Sequence, residues 1–265
     1  MDIRNQFRIT QTAPTVRELM GIGGLEDADI CNPAVLAKAA SVYGDQKLER
    51  VLMYNPDAIA LWLYQKYTDQ FIPVMRHSDL ALPVCSVMPS VTPVCFASMY
   101  SGLDPERHGI KAYVKPVLKC ETLFDALIKA GKKPVIISTA GDSISEIFKE
   151  REMDYIFCDT PEEVNEQAER ILKEDRYDLI TVYNGNFDEQ MHRTGPESEE
   201  ALAMLDRNAA AYERLASIAE EIWKDRPHMC AFLPDHGCHE IDGGMGSHGL
   251  DMEEDMNIIH FYSFK

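Results

Sequence analysis

The chain has 265 residues, of which 45% are apolar and 26% charged, proportions that exclude a disordered, collagenous or fibrous protein. Forty-four acidic against 26 basic residues leave a formal charge of -18 at pH 7, so the surface repels phosphate backbones and a nucleic-acid polymer is excluded as partner. A small anionic substrate stays compatible with that charge only where a bound cation faces it.

Seven cysteines is an odd number, and no two form a C-x-x-C pair. Cys31, Cys85, Cys95, Cys120, Cys158, Cys230 and Cys238 lie mostly in apolar runs, which predicts reduced thiols and a cytoplasmic protein. Residues 1–6 carry no apolar run of the kind a signal peptide needs. The uncharged stretch from Leu80 to Leu103 holds Pro83, Pro89 and Pro93 and reads as a strand, a loop and a helix start rather than a membrane span. No membrane partner is expected.

In chain order, residues 1–48 are mixed, with a helix predicted over Pro33–Val42 and no motif. Val51–Tyr54 reads as a strand, Ala58–Tyr67 as a helix, and Thr92–Tyr100 as a second helix start. Glu121–Ala130 is a helix stopped by Gly131, followed by a strand over Pro134–Ser138. Tyr155–Phe157 is a strand, Pro161–Lys173 a helix, Asp178–Tyr183 a strand and Glu197–Lys224 one long helix. Met229–Leu233 and Ile258–Phe264 close the chain as strands. Such alternation predicts an α/β fold with a mainly parallel sheet and helices on both faces. No repeat or linker divides residues 1–265, which read as a single domain with 1–48 as an N-terminal extension of open role.

In parallel sheets ligands gather where strands end. Asp57 follows the first strand, Asp188 and His192 follow Asp178–Tyr183, and Asp235 and His236 follow Met229–Leu233, with His248 twelve residues on. An isolated Asp-His-Gly is usually a polar turn. Carboxylates and imidazoles delivered by three strands to one edge are instead the ligand types of Zn²⁺ or Mn²⁺, in numbers that suit a dinuclear site. Thr92, followed by Pro93, reads as the cap of a helix whose free N–H groups favour an alkoxide and phosphate oxygens. From this segment alone it is either a plain cap or a nucleophile.

The run from Thr92 to Ile110, with Gly102-Leu103-Asp104-Pro105-Glu106-Arg107-His108-Gly109 at its end, resembles the nucleophile helix of the alkaline phosphatase superfamily, in its type I phosphodiesterase/nucleotide pyrophosphatase branch. Asp188…His192-Arg193-Thr194-Gly195-Pro196 and Pro234-Asp235-His236-Gly237 resemble two metal segments of that branch. His248 matches the last metal histidine, with His239 as a nearby competitor. The resemblance spans about residues 49–264 and implies an alkaline phosphatase-like core with two divalent ions, zinc or manganese. Asp57, Asp235, His236 and Thr92 would serve one ion, and Asp188, His192 and His248 the other.

It further implies hydrolysis of a small phosphate ester through a phospho-Thr92 intermediate. The nucleophile segment favours a diester over a monoester. Thr92 and Phe96 stand where sulfatase relatives need Cys or Ser and Arg, which argues against sulfate esters. No inserted cap of the kind phosphomutase relatives carry is evident, and a catalytically silent metal-binding module is the alternative from another class. Cys95, one helical turn after Thr92, offers only a weak donor. Tyr113 and Lys115 are further candidates for substrate contact, and His108 reads as part of a turn packing the nucleophile helix.

Overall fold

The computed structural model describes residues 4–265. Eight strands form one sheet in the order β1-β3-β10-β7-β2-β6-β4-β5. They are β1 (Phe7–Arg8), β2 (Arg50–Pro56), β3 (Leu80–Cys85), β4 (Pro134–Thr139), β5 (Asp154–Cys158), β6 (Leu179–Asn184), β7 (His228–Phe232) and β10 (Asn257–Phe264). β8 (His239–Ile241) and β9 (Met245–Ser247) make a separate antiparallel hairpin. Every pairing in the large sheet is parallel except those of β10, which runs antiparallel between β3 and β7. The α/β class expected from the alternating pattern is therefore what forms.

The central strands are apolar at successive positions because both faces are covered. In β2, Val51 and Met53 join one buried cluster and Leu52 and Tyr54 the other. The first cluster lies under α1 (Thr12–Met20), α2 (Pro33–Tyr43), α5 (Thr92–Ser101), α7 (Leu123–Lys129) and α8 (Ser143–Ile147). The second lies under α3 (Leu61–Lys66), α4 (Ile72–Arg76), α9 (Pro161–Glu174), α10 (Asn186–Thr194) and α11 (Glu199–Ile222). Two single-turn helices, α6 (Pro105–His108) and α12 (Glu253–Met256), sit in connections.

Local chemistry sets most helix starts. Thr160 caps α9 by accepting from the Glu163 N–H, Pro161 occupies its first position, and Val164, Ala168, Ile171 and Leu172 form its buried stripe. Asn32 and Ser198 cap α2 and α11 in the same way. Residues 4–48 are packed structure: β1 extends the sheet beside β3, and Ile9, Ala13, Val16 and Val35 belong to the first cluster.

Two boundaries differ from expectation for tertiary reasons. The helix predicted from Ala58 starts only at Leu61, because residues 57–60 are tied down in a bend at the strand end: Asp57 N donates to Asn184 O at 3.0 Å and Ala60 bridges Ile258. Ala58 takes a positive φ of 62° there. The N-cap of α5 is Val91, and Thr92 is the first helical residue with no capping bond from its side chain. Among the described residues, no helix is long and apolar enough to cross a membrane.

Candidate active site

The ends of β2, β3, β4, β5, β6 and β7 point to one edge, and a cavity of about 730 Å³ opens there. Asp57, Thr92, Asp188, His192 and His248 line it. Asp235 and His236 lie fully buried beside them. Because Thr92 does not cap its own helix, its hydroxyl is free to turn inward. Thr92 Oγ1 faces Asp57 Oδ2 and His236 Nε2, each at 3.3 Å. Tyr183, the penultimate residue of β6, donates its hydroxyl to the same Asp57 Oδ2.

Seven residues expected to act together are thus adjacent, although 191 positions separate Asp57 from His248. Asp57, Asp235 and His236 offer ligand atoms all within 4.8 Å of one another, and so do Asp188, His236 and His248. His192 Nε2 lies 3.3 Å from Asp188 Oδ1 and His248 Nε2 3.4 Å from the same oxygen. The rings of His236 and His248 stack with centroids 4.1 Å apart, so His236 borders both groups rather than serving the first alone.

Three imidazoles are held in one tautomer by backbone carbonyls, which can only accept. Nδ1–H donates to Gly246 O from His192, to Gly237 O from His236 and to Ser90 O from His248, at 2.9–3.0 Å. With Nδ1 so occupied, it is Nε2 of each ring that faces carboxylate oxygens. Asp57 Oδ1, Asp188 Oδ1 and Asp235 Oδ2 are buried and accept no hydrogen bond. Buried carboxylate oxygens this close together repel one another until a proton or cation sits between them. Buried, orphaned carboxylate oxygens with orientated imidazoles fit divalent ions of the zinc or manganese kind.

Titration behaviour agrees with that fit. Burial, then the charge of Asp188, pushes Asp57 up from the carboxylate range, and burial with the charge of Asp57 pushes Asp235 far up. Burial also works against ionised Asp188, but the nearby imidazoles of His192, His248 and His236 together outweigh it and hold Asp188 low. The adjacent Asp188 carboxylate raises His192 to about 9, while burial and the neighbouring His236 depress His248 to about 3. Without a cation, then, the cluster holds on to protons that a cation would replace.

Beyond the ligand cluster the cavity is walled by Tyr113, Lys115, Asp142, Asp159, Asn186 and Glu189, among others. Tyr113 and Lys115, singled out in the sequence, both reach it. Lys115 Nζ donates to Gly141 O at 2.9 Å and lies 5.6 Å from the centroid of the Tyr113 ring. Asp142 and Asp159 were not singled out, yet both follow strands, β4 and β5, and the same strand-end rule finds them. Tyr183 carried no signal beyond its place in a strand. Cys95 does not reach the cavity: it is buried, with Ser86 Oγ donating to its thiol at 3.2 Å. His108 packs the turn after α5, bonded to Ser98 Oγ at 3.0 Å and accepting from Ile110 N.

No family model matches the sequence, and no curated protein matches it either. Solved structures do. Human ectonucleotide pyrophosphatase/phosphodiesterase 5 superposes with a TM-score of 0.56 at 18% identity, over 73% of this chain and 58% of its own. An inactive threonine-to-alanine variant of the murine protein, in complex with AMP, gives 0.53 at 15%, over 74% and 59%. The C-terminal periplasmic domain of the phosphoethanolamine transferase EptC from Escherichia coli, in complex with zinc, gives 0.53 at 11%, over 82% and 72%. The chain thus spans less than three fifths of the length of the two phosphodiesterases. The likeness is one of fold: the chain has the alkaline phosphatase-like α/β architecture that its nucleophile segment implied.

Proposed function

We propose that this protein is a metal-dependent phosphoric ester hydrolase in which Thr92 is the nucleophile, with the phosphodiesterase type favoured. The reading rests above all on Thr92 Oγ1, which sits at a helix start, on the cavity wall and 3.3 Å from both Asp57 and His236. The murine fold relative that is inactive as a threonine-to-alanine variant supports a threonine nucleophile, and the zinc complex of the E. coli domain supports zinc. Asp57, Asp235 and His236 would hold one ion, and Asp188, His192 and His248 the other, with Thr92 beside the first. Divalent ions bound there supply positive charge that favours an ionised Thr92 oxygen and neutralises charge developing on phosphorus and the leaving group.

The chain's own groups do the rest. The Thr92 hydroxyl directs its proton at Asp57 Oδ2, while Tyr183 fixes that carboxylate by donating to the same oxygen. Oγ1 attacks phosphorus, one phosphorus–oxygen ester bond breaks, and the released alcohol takes a proton. Water then cleaves the phospho-Thr92 bond, returning the hydroxyl and releasing the phosphate product. The free N–H groups expected at the start of α5 are not there, because Val94 N and Cys95 N donate to Val91 O at 3.0 Å and Pro93 has none, so the phosphoryl oxygens must be held by other groups. Tyr113, Lys115 and Asp142 border the space in which the alcohol portion sits.

The test is zinc- and manganese-dependent release of nitrophenol from mono- and bis-nitrophenyl phosphate, measured side by side. Faster cleavage of the bis ester supports a phosphodiesterase. Preference for the mono ester makes the protein a phosphatase. Metal-loaded protein that cleaves neither refutes the hydrolase and leaves a silent metal-binding fold.

A further inference from the structure

His248 lies just beyond β9, and the short hairpin leading to it cannot hold itself in place. Its strands have three residues each, and an isolated two-stranded hairpin is marginal in water. Its far side is seated on α10: a Cβ on Gly246 would lie 2.6 Å from the Met191 carbonyl oxygen, so only glycine permits this approach. That contact fixes the hairpin body and leaves its two ends to be fixed separately.

Both ends meet one buried carboxylate. Asp255 Oδ1 takes a hydrogen bond from His239 Nδ1 at 2.7 Å, where the chain enters the hairpin. Asp255 Oδ2 accepts from Leu250 N at 2.8 Å, two residues after His248, where it leaves. The Asp255 carbonyl also accepts from Gly237 N at 2.8 Å, next to His236. The Asp255 side chain is 0% exposed and that of His239 11%. Neither residue lines the cavity, so His239 is no substitute ligand for His248. Burying a charge in a connection is costly unless its bonds do something that an apolar side chain cannot.

We propose that Asp255 and His239 form a positioning pair that closes the ends of the β8–β9 hairpin and thereby sets the place of His248 opposite Asp188. The inference rests on the dinuclear reading above and extends it to residues that touch neither substrate nor ion. The pair acts on the Asp188 side of the centre, because the hairpin supplies His248 there and its Gly246 carbonyl orientates His192. Partners behind metal-binding side chains typically change affinity by about 10- to 100-fold when removed.

The experiment is titration of cobalt(II) into metal-free protein, followed by visible absorption, with folding checked by circular dichroism. Wild-type protein is expected to take up two equivalents, and His248→Ala identifies the step that depends on the hairpin. His239→Ala should weaken that same step by roughly 10- to 100-fold and leave the other unchanged. His239→Asn, whose amide N–H can still donate to Asp255, should restore most of the loss. Cobalt uptake by His239→Ala that overlays wild type overturns the proposal, as does equal weakening of both steps, which would mark a general structural role. If the alanine variant does not fold, Asp255→Asn, which keeps one acceptor for two donors, replaces it under the same criteria. Wild-type protein that binds no cobalt would instead refute the metal-site reading itself, and the positioning role with it.

Discussion

The Tyr183 hydroxyl and the Thr92 hydroxyl meet at one oxygen, Asp57 Oδ2, leaving Asp57 Oδ1 buried and unpaired. Under the proposed function this divides the labour: one oxygen orientates the Thr92 hydroxyl, and the other is available to an ion. Tyr183→Phe removes the donor while keeping the ring edge-to-face with Phe96. Loss of a partner behind a metal-binding carboxylate is expected to lower zinc affinity or turnover by about 10- to 100-fold. Zinc competition with a chromophoric chelator and kcat on the preferred nitrophenyl ester read the two effects separately. Wild-type values for both would show that Asp57 holds its orientation without help.

Thr92→Ala should abolish turnover by at least about 1000-fold while keeping metal content. The methyl of Thr92 is in a tightly buried segment, so the alanine variant loses some packing, and the folded fraction must be measured alongside. Thr92→Ser restores a hydroxyl at the same place and should recover part of the rate. Full activity in the alanine variant would remove Thr92 from the mechanism.

The strands and the Asp and His residues that cluster at their ends were legible because they depend on local pattern: apolar runs, helix caps, and charged groups placed just after strands. Asp57, Asp188, Asp235 and His236 each follow such a strand, and the structure brings them together. What local pattern does not carry is direction and distance. Nothing in Asn257–Phe264 announces that this strand turns antiparallel between β3 and β7, since an apolar run fits either direction. Thr92-Pro93 has the composition of a cap, yet Val91 takes that position, and the difference decides whether the hydroxyl faces its own helix or Asp57. The Asp255 carboxylate is equally silent in the sequence, because its partners lie 5 and 16 residues earlier, one in irregular chain and the other at the start of a three-residue strand.

Asp142 gives the protein a specific acid response. Burial, followed by the charge of Asp57, raises it from 3.8 to about 7, against the opposing pull of Lys115. The folded chain therefore holds a proton between these values that the unfolded chain has released. Stability contributed by this group is present at acid pH and lost as pH rises towards 7. In metal-free protein the urea midpoint of wild type should fall relative to Asp142→Asn between about pH 4 and 7. The difference is about 2 kcal/mol once solvent screening is allowed for. Parallel curves for the two proteins would mean that Asp142 titrates normally.

Gly237 tests how closely the Asp235-His236 segment must approach its support. A Cβ there would lie 2.0 Å from the Glu254 carbonyl oxygen and 2.9 Å from the Ala60 Cβ. Neither neighbour is a flexible side-chain end: one is backbone of α12, and the other is fixed beside Asp57 by the bridge to Ile258. Relief requires α12 to move, and Asp255 moves with it, stretching the bond from Gly237 N. Gly237→Ala is thus expected to cost about 3 kcal/mol or more, the scale of an overpacked core site. For a chain of this length that lowers Tm by about 6–12 °C. Because His236 borders both candidate ligand groups, zinc uptake should weaken at both steps, unlike the one-step loss expected from His239→Ala. A Tm within about 2 °C of wild type, with zinc titration unchanged, would show that α12 yields without cost and that the close approach at Gly237 is incidental to the site.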